Sequence, residues 1–152
     1  HAAIAGAANH LITLVAQGMD LLRMIGVAEP ARMLAPLLSA SLDNALRFGD
    51  AGLTGPVARG DAATVAAHVA VLEAMASAPA DAQGGSQAGA QDASGGARDA
   101  SGGARDASGG VSAAMVGAYV AMARLTADRA LAAGILRPAD AERLLGVLGG
   151  RP

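Results

Sequence analysis

Alanine-rich segments of helical length, separated by glycine and proline, constrain the fold of this chain more than any other feature. Apolar residues make up 53% of its 152 residues, but no segment alternates apolar and polar positions as a half-buried strand would. Alanine is the strongest helix former and buries little area, so we expect closely packed helices with cores of Leu, Val, Ile and Met. The predicted fold class is all-α, a helical bundle with one disordered low-complexity insertion.

The first predicted helix covers residues 2–25 and carries a polar stripe. Asn9, Thr13 and Gln17 recur every four positions, so they line up along one side of a helix. A solvated face is the simpler interpretation of this stripe, and a binding site is the alternative. The apolar residues on the opposite side are Ile4, Leu11, Val15, Leu22 and Ile25.

The second predicted helix starts at the turn marked by Pro30 and Pro36 and ends near Phe48. Asp43 and Arg47 are spaced to form an exposed ion pair one turn apart. We expect the buried side of this helix to consist of Leu34, Leu38, Leu42 and Ala45.

Three further helices are predicted after Gly60. Asp61 suits the N-cap of a helix that runs to Ser77. A fourth helix extends from Val111 to about Ala133 and is stopped by Gly134, because glycine readily adopts the left-handed conformation at helix ends. Pro138 opens a terminal helix that ends at Leu148. Residues on one stripe of the fourth helix are Met115, Tyr119, Met122 and Thr126.

The composition changes abruptly after Pro79. Near-identical units, AQDASGG followed by ARDASGG twice, fill residues 90–110. Such Gly/Ser/Ala sequence buries too little to offset its ordering entropy, so we predict a flexible insertion over residues 80–110. It would divide one helical domain into residues 1–79 and 111–152. Repeat expansion explains these units, and a regulatory or binding role is the alternative.

Composition also excludes several classes of function. The chain has no cysteine, and its three histidines lack the spacing of metal ligands, so we expect no metal site. The net charge of −2 without a basic cluster disfavours nucleic-acid binding. Residues 1–19 carry no charged side chain except histidine, but polar residues interrupt them and a basic signal-peptide start is lacking. We therefore expect no membrane association and a cytoplasmic location.

Asn44 and His68 are polar residues beside apolar stripes. A buried amide at Asn44 needs hydrogen-bond partners, which either a neighbouring helix or a ligand would supply. His68 falls on the same side of its helix as Asp61 and Thr64, next to Val65. A histidine in such a stripe is more often hydrogen-bonded in the core than a catalytic base.

The sequence GLTGPVARGD, residues 52–61, separates the second and third helices. Its glycines, Pro56 and Asp61 have ordinary structural tasks: backbone freedom, a turn and a helix cap. Arg59 has no such task, and a cation near a helix N-terminus opposes the helix dipole. Free backbone N–H groups, a helix start and a guanidinium together suit a carboxylate or a phosphate.

Four stretches, in order, carry a family resemblance: HAAIAGAANHLITL, LLSASLDNALRFG, GLTGPVARGDAATVAAHV and AYVAMARLTADRAL. They resemble the uncharacterised helical domain that follows a Rossmann-like domain in bacterial proteins related to NADP-dependent oxidoreductases. That fold is similar to the C-terminal domain of 6-phosphogluconate dehydrogenase. The resemblance covers nearly the whole chain except residues 80–110, and LTGPVARGD is its most specific element.

The resemblance implies a homodimer and a cleft closed by the chain's own Rossmann-like domain. That upstream domain would bind NADP or NAD, and none is expected on this chain alone. The chain begins with His1 rather than Met, so we expect it to belong to a longer protein. The residues implied to line the cleft and bind a small acidic substrate are Asn9, Asn44, Thr54, Gly55, Pro56, Arg59, Asp61 and His68.

The resemblance also implies a role for His1 in proton transfer. Imidazole is the side chain whose ordinary pKa lies nearest neutral pH, and His1 matches a position in the cleft. The lysine that several relatives use has no counterpart, because the chain contains no lysine. A non-enzymatic helical module for oligomerisation or small-molecule binding is the alternative function.

Overall fold

The computed structural model describes residues 1–78 and 111–149, and these residues are helical apart from short connections. No strand occurs in these two ranges, which confirms the all-α prediction. The predicted insertion over residues 80–110 lies outside them. The elements are α1 (Ala2–Met24), α2 (Pro30–Phe48), a 3₁₀ helix (Gly49–Gly52), α3 (Gly55–Ala58), α4 (Ala62–Ser77), α5 (Ala113–Ala132) and α6 (Pro138–Gly149).

A single hydrophobic core joins α3, α4, α5 and α6, which we call the body. α4, α5 and α6 pack against one another, and the short α3 fills the space beside α4 and α5. The α5 contribution is almost entirely alanine, which lets these helices approach closely. The core residues are Val57, Ala58, Val65, Val69, Ala123, Ala127, Ala130, Leu136, Ala141, Leu144 and Leu148.

Side-chain caps and a glycine set the ends of the longer body helices, and α5 begins two residues later than the predicted Val111. The Asp61 carboxylate accepts a hydrogen bond from the backbone N–H of Thr64 and caps α4. Ser112 caps α5 in the same way through Met115. Gly134 follows α5 with a φ of 70°, the left-handed conformation that ends a helix at little steric cost.

Helices α1 and α2 pack against each other and form what we call the arm. α1 buries no residue, and α2 buries only Pro30. The prediction that these four residues of α2 are buried is therefore wrong for the structure described. Leu34 and Leu38 are half-buried, whereas Leu42 and Ala45 are exposed. Among residues 1–78 and 111–149, no third layer covers that side of the arm.

Pro36 lies inside α2 rather than marking its start. A proline at this position removes the backbone N–H that would otherwise bond the carbonyl of Arg32. The helix begins instead at Pro30, which suits a first helical position because its missing N–H would have no intrahelical partner. The predicted Asp43–Arg47 ion pair is confirmed, with 3.2 Å between Nη1 and Oδ2.

Two features connect the arm to the body. The 3₁₀ helix continues directly from α2 and packs against it. Asp50 in this 3₁₀ helix accepts a hydrogen bond of 2.8 Å from Nε of Arg129 on α5. This ion pair joins residues 79 positions apart and fixes the end of the arm against the body.

The exposed side of the arm is strongly apolar. Ile4 is 76% exposed and Leu46 is 79% exposed, and further large apolar side chains on both arm helices share this exposure. Among the described residues, α1 is also the one helix whose length and composition match a membrane span. The core helix of a soluble protein or a signal sequence meets the same two criteria. Length and composition therefore do not distinguish a membrane span from either of them.

Candidate functional site

The Arg59 loop, residues 53–61, is more ordered than its glycine content suggests. α3 occupies its middle, and Pro56 lies in the first turn of that helix. Thr54 precedes α3 in an extended conformation, with an exposed side chain that makes no capping bond. Gly55 has a φ of 88° and open space where a Cβ would lie, so its backbone conformation is what requires glycine.

The backbone N–H groups at the end of this loop are bonded within the loop. Those of Arg59, Gly60 and Asp61 donate to the carbonyls of Gly55, Val57 and Pro56, respectively. The predicted free N–H groups are therefore wrong for these residues, because α3 and the turn after it use them. A ligand at this end of the loop would therefore be held by side chains rather than by these three N–H groups.

Gly60 is held against the far end of the chain. Its φ is 73°, and a Cβ there would lie 2.6 Å from Cβ of Asp140 in α6. No real Cβ fits that distance, so the loop approaches α6 this closely only because residue 60 is glycine. The contact sets the position of Arg59, the residue before it.

Asp140 is 5% exposed and is paired with arginine on both sides. Its carboxylate accepts a hydrogen bond of 2.6 Å from Nε of Arg137 and a second bond from Arg143. The hydrogen bond from Arg137 lowers the pKa of Asp140, and the charges of the two arginines act in the same direction. Asp140 therefore remains ionised beneath the loop and serves a structural role.

Arg59 is exposed and forms no ion pair or side-chain hydrogen bond with a described residue. Arginines elsewhere in the described residues, such as Arg129 and Arg137, do form ion pairs with carboxylates. The structure thus agrees with the sequence analysis that Arg59 has no structural task. A guanidinium with five unused donors is suited to a planar carboxylate or to a phosphate.

Asp61 is occupied by its capping role. Oδ1 accepts from the backbone N–H of Thr64 at 3.0 Å, and Oδ2 accepts from the Thr64 hydroxyl at 2.6 Å. The bond from the hydroxyl contributes most to lowering the pKa of Asp61, and the nearby Arg59 and His68 contribute in the same direction. Both side chains therefore lie within electrostatic reach of this carboxylate.

His68 is exposed on α4, one helical turn after Thr64. Its Nδ1 lies 2.9 Å from Oη of Tyr119 on α5, and the two rings meet edge to face. The sequence interpretation of His68 as a hydrogen-bonded residue is confirmed, whereas its placement in the core is wrong. Residue 68 faces solvent because Val65, Val69 and Leu72 take the buried positions of α4.

Asn44 lies beside the start of the loop. A Cβ at Gly52 would be 3.1 Å from its backbone carbonyl oxygen, so glycine lets the 3₁₀ helix turn back onto α2. The Asn44 side chain is exposed and forms no hydrogen bond with a described residue. Of the two interpretations of this amide, burial against a neighbouring helix is therefore wrong.

His1 and Asn9 belong to the arm. Both are exposed, and in the described part of the chain no hydrogen bond, ion pair or ring contact joins either side chain to the Arg59 loop. The Asn9 carbonyl accepts a bond from the Thr13 hydroxyl at 3.0 Å, an ordinary bond within a helix. The structure thus groups Thr54, Gly55, Pro56, Arg59, Asp61 and His68 on the body and leaves His1 and Asn9 apart.

Sequence reasoning missed Tyr119 as a polar neighbour of this surface. Tyr119, which was placed on one stripe with Met115, Met122 and Thr126, packs against the core while its hydroxyl reaches His68. Met122, on the same predicted stripe, is 43% exposed, and the side of α5 that faces the core is mainly alanine. A lone tyrosine in a chain nearly free of aromatic residues was the available signal.

The described residues therefore define a small all-α domain with a polar surface on its body and an uncovered apolar arm. The chain belongs to the family named for a domain of unknown function, DUF2520, whose profile matches residues 1–83. No curated protein and no solved structure matches the chain. Every site residue predicted from sequence falls within the matched range, whereas Tyr119 and Asp140 lie beyond it.

Proposed function

We propose that this chain is the C-terminal substrate-binding and dimerisation domain of a cytoplasmic NAD(P)-dependent oxidoreductase. Its substrate would be a small acidic hydroxy or keto compound. The observation that carries the proposal is Arg59, an exposed guanidinium with no ion pair among the described residues, fixed by the close approach of Gly60 to Asp140.

The surroundings of Arg59 favour a ligand with one acidic group and a second oxygen atom. Asp61 already accepts two hydrogen bonds from Thr64, so it does not need the guanidinium as a partner. His68 offers a ring nitrogen on the same side of α4. Residues 61 and 68 are separated by about 10 Å of helical rise. The long Arg59 side chain together with a small ligand would bridge the distance from the start of α4 to His68.

The residues of this chain do not fit a dinucleotide by themselves. Dinucleotide-binding folds hold the pyrophosphate at a glycine-rich turn between a strand and a helix, and no strand occurs in residues 1–78 or 111–149. A nicotinamide cofactor would therefore be held mainly by a Rossmann-like domain upstream of His1. This chain would contribute side chains that bind and orient the substrate.

The exposed arm supports the dimerisation part of the proposal. A pair of helices that buries almost nothing within its own chain gains stability from a further apolar layer. A second copy of the chain would supply that layer and would bring the arm residues His1, Asn9 and Asn44 toward a shared cleft. His1 would then exchange a proton with the substrate, and the two amides would orient it.

Substitution of Arg59 tests the substrate-binding role directly. Turnover of a panel of 2-keto and 2-hydroxy acids by the full-length protein with NADP(H) or NAD(H) is measured for wild type, Arg59→Ala and Arg32→Ala. We expect Arg59→Ala to lower kcat/KM at least tenfold, the effect of losing a charge-assisted hydrogen bond of about 1.5–3 kcal/mol. Arg32→Ala removes another exposed arginine, one on α2 that pairs with Glu29, and should leave turnover unchanged. Unchanged turnover in Arg59→Ala would show the assignment to be wrong.

The coding sequence upstream of His1 provides a second test. A strand, a GxGxxG turn and a helix are expected there. Their absence would remove the oxidoreductase proposal altogether.

A non-enzymatic oligomerisation module is the second candidate, and the uncovered arm is the observation that favours it. In that case Arg59→Ala leaves every measurable property intact, while Leu42→Asp abolishes assembly. The two candidates therefore make opposite predictions for Arg59 and the same prediction for the arm.

A further inference from the structure

The hydrogen bond between His68 and Tyr119 joins two helices at the edge of the body. Nδ1 and Oη are 2.9 Å apart, and 51 positions separate the two residues in the chain. The Tyr119 ring packs against the core cluster, so its hydroxyl has a fixed position. His68 is exposed, and no other side-chain hydrogen bond of its ring occurs in the described residues.

The chemistry of the two groups indicates which one donates. A neutral imidazole carries its proton on one nitrogen and accepts on the other. Burial raises the pKa of Tyr119, so the phenol keeps its proton and is available as a donor. Among the described residues the Tyr119 hydroxyl has no other hydrogen-bond partner. Donation to Nδ1 pairs the phenol O–H with an imidazole nitrogen, which is a stronger base than the phenol oxygen.

Donation by Tyr119 leaves the proton of His68 on Nε2. This Nε2–H is free to bond a ligand, because Nδ1 already bonds Tyr119. The edge-to-face contact with the Tyr119 ring restrains the orientation of the imidazole. His68 then presents a hydrogen-bond donor to solvent rather than a base. Arg59 presents donors as well: it lies two residues before Asp61, the N-cap of α4, and His68 lies two turns into the same helix.

We propose that Tyr119 is a positioning residue that fixes the tautomer of His68 with its proton on Nε2, so that His68 and Arg59 donate to the same small acidic ligand. The Arg59 guanidinium binds the acidic group, and the His68 Nε2–H binds the second oxygen, a carbonyl or a hydroxyl. The ligand part of this inference rests on the proposed function. The hydrogen bond between Tyr119 and His68 does not depend on the proposed function.

Nitrogen NMR of histidine distinguishes the two ring protonation patterns directly. Full-length protein labelled with ¹⁵N-histidine is compared between wild type, Tyr119→Phe and Thr126→Val. Tyr119→Phe removes only the hydroxyl, while Thr126→Val removes a hydroxyl elsewhere on α5 that bonds the Met122 carbonyl. His10 on α1 is an exposed internal reference in the same spectrum.

We expect wild-type His68 in its neutral form to show one tautomer, with protonated Nε2 and unprotonated Nδ1. Tyr119→Phe should convert it to an average of both tautomers, as at His10, and Thr126→Val should leave it unchanged. An averaged His68 in wild type, a proton on Nδ1, or an unchanged spectrum in Tyr119→Phe would each overturn the inference.

Ligand addition separates this inference from the proposed function. Pyruvate and lactate are titrated, with cofactor present, into the same proteins. We expect Tyr119→Phe to weaken binding about threefold to tenfold, the usual effect of one neutral hydrogen bond, and Thr126→Val to bind as wild type does. If neither acid binds while the tautomer of His68 is fixed by Tyr119, the acidic-substrate proposal fails and the positioning role of Tyr119 stands. Equal binding by wild type and Tyr119→Phe would overturn the ligand role of His68.

Discussion

The arm and the body are built from similar alanine- and leucine-rich helices, yet only the body has a core. Val65, Val69 and Leu144 in the body are completely or almost completely buried, while α1 buries nothing. Helix formation depends on local sequence, whereas burial depends on how many other helices are available to pack against. The comparison shows that the body has a core of its own, whereas the arm buries almost nothing among the described residues.

The largest expected difference between the two regions is the response to a buried charge. Val69→Asp places a carboxylate in the core and should lower the free energy of unfolding by about 4 kcal/mol or more. Leu42→Asp on the arm changes an exposed side chain and should leave the body folded while it separates the proposed dimer. Circular dichroism measures folding, and sedimentation velocity measures the oligomeric state.

The outcome for Leu42→Asp also decides what covers the arm. A dimer that persists in this variant would mean that this side of α2 is not the contact surface. Binding of wild-type protein to phosphatidylcholine vesicles, with a monomer in solution, would assign the apolar arm to a membrane instead.

A smaller effect is expected from alanine at Gly60. The added Cβ collides with Asp140 and the backbone has a positive φ, so we expect a loss of about 2–4 kcal/mol. Gly134→Ala is the matched control: its φ of 70° is similar but nothing lies near its Cβ, and it should cost about 1 kcal/mol. Chemical denaturation compares the two. Equal losses would contradict the close contact between the loop and α6.

The smallest expected effect comes from the ion pair that connects arm and body. Arg129→Ala should lower the free energy of unfolding by less than about 1 kcal/mol, because the pair is largely exposed and screened by salt. Hydrogen exchange should accelerate at the end of α2 and remain unchanged in α4. Equal acceleration in both helices would show that arm and body unfold as one unit.

Local features of the sequence predicted most of the helices. Asp61 and Gly134 fixed the start of α4 and the end of α5 because capping involves only nearby residues. Pro36 was misplaced because its own conformational restriction favours a helix start, while the strong helix formers around it allow α2 to continue. Burial on α2 was also wrong, since periodicity shows an apolar side but not whether anything covers it.

The candidate site was less predictable because its decisive contacts are distant in sequence. Arg59 was identified by the lack of any local task for it. The partner of His68 lies on α5, and the partner of Gly60 lies on α6, so neither is visible from local spacing. The N–H groups of Arg59, Gly60 and Asp61 bond carbonyls of α3. This helix of four residues is too short to predict from sequence.

The contact between Gly60 and Asp140 has a consequence for how the site is made during synthesis. Arg59 leaves the ribosome well before α6, yet the contact that sets its position requires the first turn of α6. Closing this long chain separation is a slow step compared with helix formation. The Arg59 loop thus acquires its final geometry only after α6 has been synthesised, so a nascent or truncated chain that lacks α6 would display the residues of the site without the site itself.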